Sequence, residues 1–171
     1  NSVWSIFQDR EERLWFGTRT GVSQYIGNAQ SKGLGHAFAT PAAEGDPVPT
    51  EVVAISQDDH GYLWFGSEAS GPNRYDGKTI KRFTKKDGLV DTKVHTILRD
   101  SGGQLWFGTS GGVGRYDGRI FQTLTQSDGL ASSFVKSIFE DRDGTFWFGT
   151  GRGVTRFRPP EPVPPRIFVE A

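Results

Sequence analysis

Four tryptophans, Trp15, Trp64, Trp106 and Trp147, stand roughly 40 to 50 residues apart, each followed by Phe-Gly and then Thr or Ser. A repeat of that period marks a propeller or a solenoid, because one unit cannot bury its apolar faces alone and must stack on its neighbours. An aspartate precedes every tryptophan by six positions: Asp9, Asp58, Asp100 and Asp141. A Val-x-x-Ile element precedes each aspartate: Val3 and Ile6, Val52 and Ile55, Val94 and Ile97, Val135 and Ile138. Each unit then runs to an aromatic, Tyr25, Tyr75, Tyr116 or Phe157. Four units result, over about 1–50, 51–92, 93–133 and 134–158, followed by a Pro-rich connector at 159–171.

Each unit spells short strands. In "VHTILRD" the valine and isoleucine are three apart, which in a regular strand sends them to opposite faces, so both faces are apolar and the strand must be sandwiched. The segments "DSGG", "DDHG" and "DRDG" are aspartate-led hairpin turns, after which "QLWFGT", "GVGRYDG" and "RIFQTLT" give a second, third and fourth strand. The 23 glycines and 13% aromatics suit many tight turns between strands, and no window carries uninterrupted helical spacing. The expected fold class is all-β: a β-propeller type of four blade-like repeats, each a four-stranded antiparallel sheet, forming a complete small propeller or part of a larger or dimeric one. The four tryptophans are expected at equivalent buried positions, holding units together and not offering sugar-stacking platforms. The four aspartates are expected to cap backbone N–H groups of their own turns. One or two carboxylates per turn fall short of the six to eight oxygens that calcium takes.

Charge and composition narrow the function. With 20 basic and 20 acidic residues there is no positive field to attract nucleic acid or an anionic membrane. Cysteine is absent, which removes disulfides, thiolate metal sites and a cysteine nucleophile. No apolar run approaches the ~18 residues of a membrane span, so this stretch is expected to make no membrane contact. A chain that opens on Asn1 and lacks methionine is expected to be a piece of something longer. His36, His60 and His95 fall at unrelated positions of the units, so no metal site, cofactor or catalytic residue is expected.

Function in a repeat of this kind lives in loops that differ between units. The ligand-binding candidates are Arg19, Glu68, Ser110, Arg152 and His95, with Thr20, Ser70, Lys85, Lys86 and Lys93 on the same side. A small polar ligand, such as an oligosaccharide, suits these hydrogen-bonding groups, and the arginines favour acidic sugars. Trp4 takes the place of Val53, His95 and Lys136 in the inner strand. Unit one is the misfit, with "DREER" for Asp-x-x-Gly and a long link to unit two. The last unit lacks a fourth strand, so Arg166 to Glu170, "RIFVE", is expected to cover that edge or cross to a second copy in a homodimer.

The segments "SIFEDRDGTFWFGTGRGVTRF", "TILRDSGGQLWFGTSGGVGRYDG" and "AISQDDHGYLWFGSEASGPNRYDG", with the links "DGLASSFVKSIFED" and "DGLVDTKVHTILRD", resemble two-component regulator propeller repeats. The resemblance implies a periplasmic or extracellular sensor region of a bacterial hybrid histidine kinase, which binds a ligand without turnover. The connector "PPRIFVEA" resembles the opening of the β-sandwich domain that follows the last blade in that family. Against this stand an interaction scaffold and, more remotely, a propeller lyase or glycosidase.

Overall fold

An aspartate and a tryptophan six residues apart build the first hairpin of every unit through one hydrogen bond. In a computed structural model that describes residues 2–26 and 38–159, the indole N–H of Trp15 donates to Asp9 at 2.7 Å. The pairs Trp64–Asp58, Trp106–Asp100 and Trp147–Asp141 repeat the bond at 2.8, 2.7 and 2.8 Å. The other carboxylate oxygen caps the turn as expected: Asp58 accepts from the amides of His60 and Tyr62, and Asp100 from that of Gln104. The fourth turn residue must be left-handed, and Gly61, Gly103 and Gly144 supply φ of 84°, 84° and 72°. Unit one has Glu12 there at φ 62°, so "DREER" makes the same turn at a cost of about 1–2 kcal/mol.

Unit one contains β1 (Val3–Gln8), β2 (Leu14–Thr18), β3 (Gly21–Tyr25) and β4 (Phe38–Ala39), paired in that order. Unit two contains β5 (Glu44–Gly45), β6 (Val52–Gln57), β7 (Leu63–Ser67), β8 (Gly71–Tyr75) and β9 (Thr79–Arg82). Unit three contains β10 (Val94–Arg99), β11 (Leu105–Thr109), β12 (Val113–Tyr116) and β13 (Phe121–Leu124). Unit four contains β14 (Val135–Glu140), β15 (Phe146–Thr150) and β16 (Gly153–Phe157). The all-β, propeller-type expectation holds, but the count of four strands holds only for units one and three. In unit two the long link lays β5 parallel on β9, where the Glu44 amide donates to Lys78 and the Asp46 carboxylate takes the Arg82 amide, so the link covers an open edge. Unit four has three strands among the described residues. The connector beyond Pro159, including the expected edge strand at Arg166 to Glu170, lies outside the described residues, as does His36. Among the described residues helix is confined to two single turns, Lys85–Asp87 and Gln126–Asp128. None among the described residues is long and apolar enough to cross a membrane.

The inner strands correct the reading of Val-x-x-Ile. Each carries a β-bulge whose extra residue is Trp4, Val53, His95 or Lys136. The bulge adds one position and thereby returns valine and isoleucine to the same face. Val52 and Ile55 accordingly meet Trp15 and Val22 of the preceding unit in one core, together with Phe65 and Tyr75. Val94, Phe107 and Tyr116 gather around Trp64 in a second core, and Val135, Phe146 and Phe148 around Trp106 in a third. Three cores thus lie between four sheets, each made by the tryptophan of one blade and the inner strand and aromatics of the next. The Phe-Gly glycines allow this approach: a Cβ on Gly66 would stand 2.7 Å from Cγ1 of Val94, and one on Gly108 3.0 Å from the Val135 carbonyl. The DGL links serve the same cores, burying Leu89 and Leu130 behind a capped turn whose left-handed glycine is Gly88 or Gly129.

One expectation fails. Trp147 keeps its place in the sheet and its bond to Asp141, yet it is 38% exposed, whereas Trp15, Trp64 and Trp106 are at most 1% exposed. The ring's cover always comes from the following blade, and none follows Trp147 among the described residues. Trp106→Ala is therefore expected to cost about 3–5 kcal/mol in urea unfolding, and Trp147→Ala less than about half of that. Equal losses would refute this division.

The same bonds predict an acid limit. Burial pushes the Asp9 carboxyl up, but the Trp15 indole and the Arg13 amide and guanidinium outweigh it and hold it below the ordinary range. The Trp147 indole, and after it the Thr145 amide, hold Asp141 down. A group with a depressed folded pKa stabilises fully above its unfolded value, near 3.9 for aspartate, and loses that contribution as pH falls through the folded value. Unfolding midpoints are expected to be insensitive to these groups above about pH 5 and to fall below about pH 4, with a shallower fall in Asp9→Asn.

Candidate functional site

Antiparallel order places the hairpins β2–β3, β7–β8, β11–β12 and β15–β16 on one face, beside the links between units, and the aspartate-led turns on the other. The last three hairpins are each tied to the preceding link: the Glu68 amide donates to Glu51, that of Ser110 to Lys93 and that of Gly151 to Phe134, at 3.0, 3.1 and 2.9 Å. The four bulges lie at the start of the inner strands on this same face. A bulge residue is unpaired in the ladder, so its side chain can be aimed away from both cores.

At the third bulge the aim is specific. His95 Nδ1 lies 3.0 Å from Glu68 Oε1 in the hairpin of blade two, and Nε2 lies 2.9 Å from Ser110 Oγ in the hairpin of blade three. The imidazole is 9% exposed and the Glu68 side chain 34%. The ring of Phe134, at the start of blade four, meets His95 edge-on with centroids 4.7 Å apart, and Lys136 Nζ sits 5.2 Å from the Phe134 ring. The array therefore crosses three blades. An ionised carboxylate only accepts, so Nδ1 carries the hydrogen that bonds Glu68, and Nε2 accepts from the Ser110 hydroxyl when the ring is neutral. That leaves the lone pairs of Ser110 and the second oxygen of Glu68 to accept hydrogen bonds from a ligand, beside an exposed aromatic and an ammonium.

Of the five candidates, the structure joins Glu68, His95 and Ser110. Arg19 and Arg152 remain exposed in the equivalent hairpins of blades one and four, with no side-chain bond among the described residues. The positions of the histidines along the chain gave no sign that a carboxylate, an imidazole and a hydroxyl would meet here. The three residues are distant in sequence and meet because adjacent hairpins flank one bulge. Phe134 and Lys136 were not singled out by sequence; the signal for Lys136 was its equivalence to His95, and none marked Phe134.

The opposite face holds clefts of about 200 and 300 Å³ at equivalent seams between blades two and three and between blades one and two. Their repetition marks them as a product of blade packing. A third, of about 250 Å³, lies against Arg10, Gln57 and Arg99. Charges there are already paired: Asp59 binds Arg99 and Arg10, which hold its carboxyl below the ordinary range, and Glu140 takes the amide and hydroxyl of Ser101.

The profile of the family described as two component regulator propeller matches residues 1–20, 47–69, 88–111 and 129–152. No curated protein matches. Among solved structures, the extracellular domain of a hybrid two component system from B. thetaiotaomicron is similar at 25% identity and a TM-score of 0.75, over 91% of this chain and 21% of that one. The extracellular domain of a one component system from the same organism gives 20% identity and 0.73, over 92% and 23%. Virginiamycin B lyase from Staphylococcus aureus gives 17% and 0.60, over 94% and 56%, a likeness of fold. The chain thus spans about a fifth of the length of these extracellular domains.

The tautomer is directly checkable. Nitrogen-15 NMR of the imidazoles is expected to show that the neutral His95 ring carries its hydrogen on Nδ1 and none on Nε2. Glu68→Ala should release that preference, and a neutral ring with its hydrogen on Nε2 in the wild type would contradict the array.

Proposed function

The chain belongs to the two-component regulator propeller family, and from that premise we propose that it is a ligand-sensing propeller region of an extracytoplasmic signalling sensor, binding a small polar ligand such as a carbohydrate without turnover. The observation that carries the reading is the Glu68–His95–Ser110 array at the bulge of blade three. It presents oriented acceptors beside the ring of Phe134, and a saccharide offers hydroxyl donors and an apolar ring face to match. Lys136 and the exposed Arg152 favour a ligand with a carboxylate or sulfate. Because Glu68 belongs to blade two, Ser110 to blade three and Phe134 to blade four, a ligand held by all three bears on the angles between blades. Such a change is what a sensor has to pass on.

A hydroxyl bonded to an imidazole that is itself bonded to a carboxylate is also the order of an activated nucleophile. Turnover is therefore part of the test. Calorimetric titration with neutral and acidic oligosaccharides is expected to show binding that Ser110→Ala weakens roughly tenfold to a hundredfold. Asp117→Ala, on the opposite face, should leave it unchanged. Binding indifferent to Ser110 and lost in Asp117→Ala would move the site to the other face. Hydrolysis or elimination of a bound sugar would change the class.

A further inference from the structure

A serine hydroxyl has one hydrogen and two lone pairs, and at Ser110 the protonation of His95 decides which of them is left for a ligand. With the ring neutral, Glu68 takes the Nδ1 hydrogen at 3.0 Å and Nε2 carries a bare lone pair, on which Ser110 spends its hydrogen at 2.9 Å. The hydroxyl then offers only lone pairs, beside the second oxygen of Glu68. Every group of the array that faces a ligand accepts, so a neutral saccharide, whose hydroxyls donate, is held better than a carboxylate.

An imidazolium donates from both nitrogens. Its bond to Glu68 stays and becomes charge-assisted, while the new hydrogen on Nε2 needs an acceptor. The ring is 9% exposed and meets Phe134 edge-on, so water has little access to Nε2 and Ser110 Oγ is the acceptor already in place. That oxygen accepts only by swinging its own hydrogen away from the ring. The Glu68–His95 pair passes at the same step from one negative charge to none. The other charged groups on the elements around the ring are Glu51 in the link before β6, Asp91 and Lys93 before β10, Lys136 on β14 and Arg152 in the hairpin that holds Phe134. Asp91 is taken by Lys85 at 3.6 Å and by the Lys93 amide, and Lys136 lies beyond the Phe134 ring at 5.2 Å. Among the described residues none of them takes the place of Glu68 at Nδ1, so the change is delivered to Ser110.

We propose that protonation of His95 reverses the hydrogen-bond polarity of the array and with it the class of saccharide the array holds. The neutral ring presents acceptors and takes neutral sugars; the charged ring turns Ser110 into a donor, beside the ammonium of Lys136, and takes sugars that carry a carboxylate. The ligand class rests on the sugar-sensing reading above, and the reversal rests on the array alone. Imidazole is the side chain whose ordinary titration lies between pH 5 and 8, where a sugar carboxylate stays ionised, so the ring changes state and the ligand does not.

Neutron crystallography of the perdeuterated chain reads the reversal without a ligand. Above the His95 midpoint, taken from its own nitrogen-15 titration, the Ser110 deuteron is expected to point at Nε2. Below it, Nε2 should carry a deuteron aimed at Oγ, with the Ser110 deuteron turned to solvent. A Ser110 deuteron in one orientation in both crystals, or a ring that turns away from Ser110 on protonation, overturns the proposal. The ligand consequence is read by calorimetry with methyl glucoside and methyl glucuronide, which differ by a carboxylate at carbon six. Protonation is expected to shift the ratio of the two affinities about tenfold or more toward the glucuronide. By linkage, bound glucuronide should then raise the His95 midpoint at least about one pH unit above that with bound glucoside. In His95→Gln the ratio should stay constant over the same pH range, with a circular dichroism melt checking the fold. Binding of both sugars at a ratio that ignores His95 protonation, or a ratio that changes equally in His95→Gln, also overturns the proposal. Binding of neither sugar on either side of the midpoint, with the deuteron reversed, overturns the sugar-sensing reading and leaves the reversal standing.

Discussion

The hydrogen bond from tryptophan to aspartate is what the rest of the molecule rests on. Asp9, Asp58 and Asp100 are nearly buried, and a buried carboxylate without donors costs several kcal/mol, as a buried indole N–H without an acceptor costs about 1–3 kcal/mol. Each group satisfies the other, while the second carboxylate oxygen holds the turn. The bond therefore fixes two things together: the path of the chain through the hairpin and the plane of a ring two residues into the next strand. The ring then serves a different sheet. Turn, strand and interface are coupled through one carboxylate, which is why the same phrase recurs with its spacing intact while the loops around it drift.

The bulge separates framework from function. A strand in which every residue is paired and packed on one core or the other has no position free to change. The extra residue of the inner strand escapes both demands, and it differs in every unit: Trp4, Val53, His95 and Lys136. Among the described residues the other three bulges show no hydrogen bond from this side chain to another blade, and at His95 the two flanking hairpins supply Glu68 and Ser110, so the imidazole becomes the pin of a polar array. The array costs the fold little, because the backbone irregularity that aims it is also the one that places Val94 and Ile97 in the same core.

Most of the fold was legible because periodicity constrains many residues at once. The Trp-Phe-Gly phrase, the aspartate six positions earlier and the closing aromatic gave the blades and their order. Two kinds of detail were not legible. The bulge leaves no mark in a β-branched run, so alternation sent Val52 and Ile55 to opposite faces. The exposure of Trp147 depends on what stands beside it and not on its own sequence, which matches that of Trp106 closely. At the site, variation between units pointed to Glu68, His95 and Ser110, but their meeting follows from two hairpins converging on one bulge. Arg19 and Arg152 were chosen by the same rule and stay apart, because their hairpins flank bulges that carry Trp4 and Lys136.

The place of the array in the row of blades follows from nearest-neighbour packing. Stability in a repeat protein is close to a sum over units and the interfaces between them, so an end blade with one covered face is held less firmly than a blade with two. Blades two and three are the ones covered on both sides, by the cores around Trp15, Trp64 and Trp106. Glu68, His95 and Ser110 sit on these two blades, while Phe134 and Lys136 reach in from blade four. The polar groups of the array are thus mounted on a seam between two blades that are each packed on both sides, and the aromatic beside them comes from a third. Under the proposed function, a ligand held by all of them would bear on the angle between neighbouring blades.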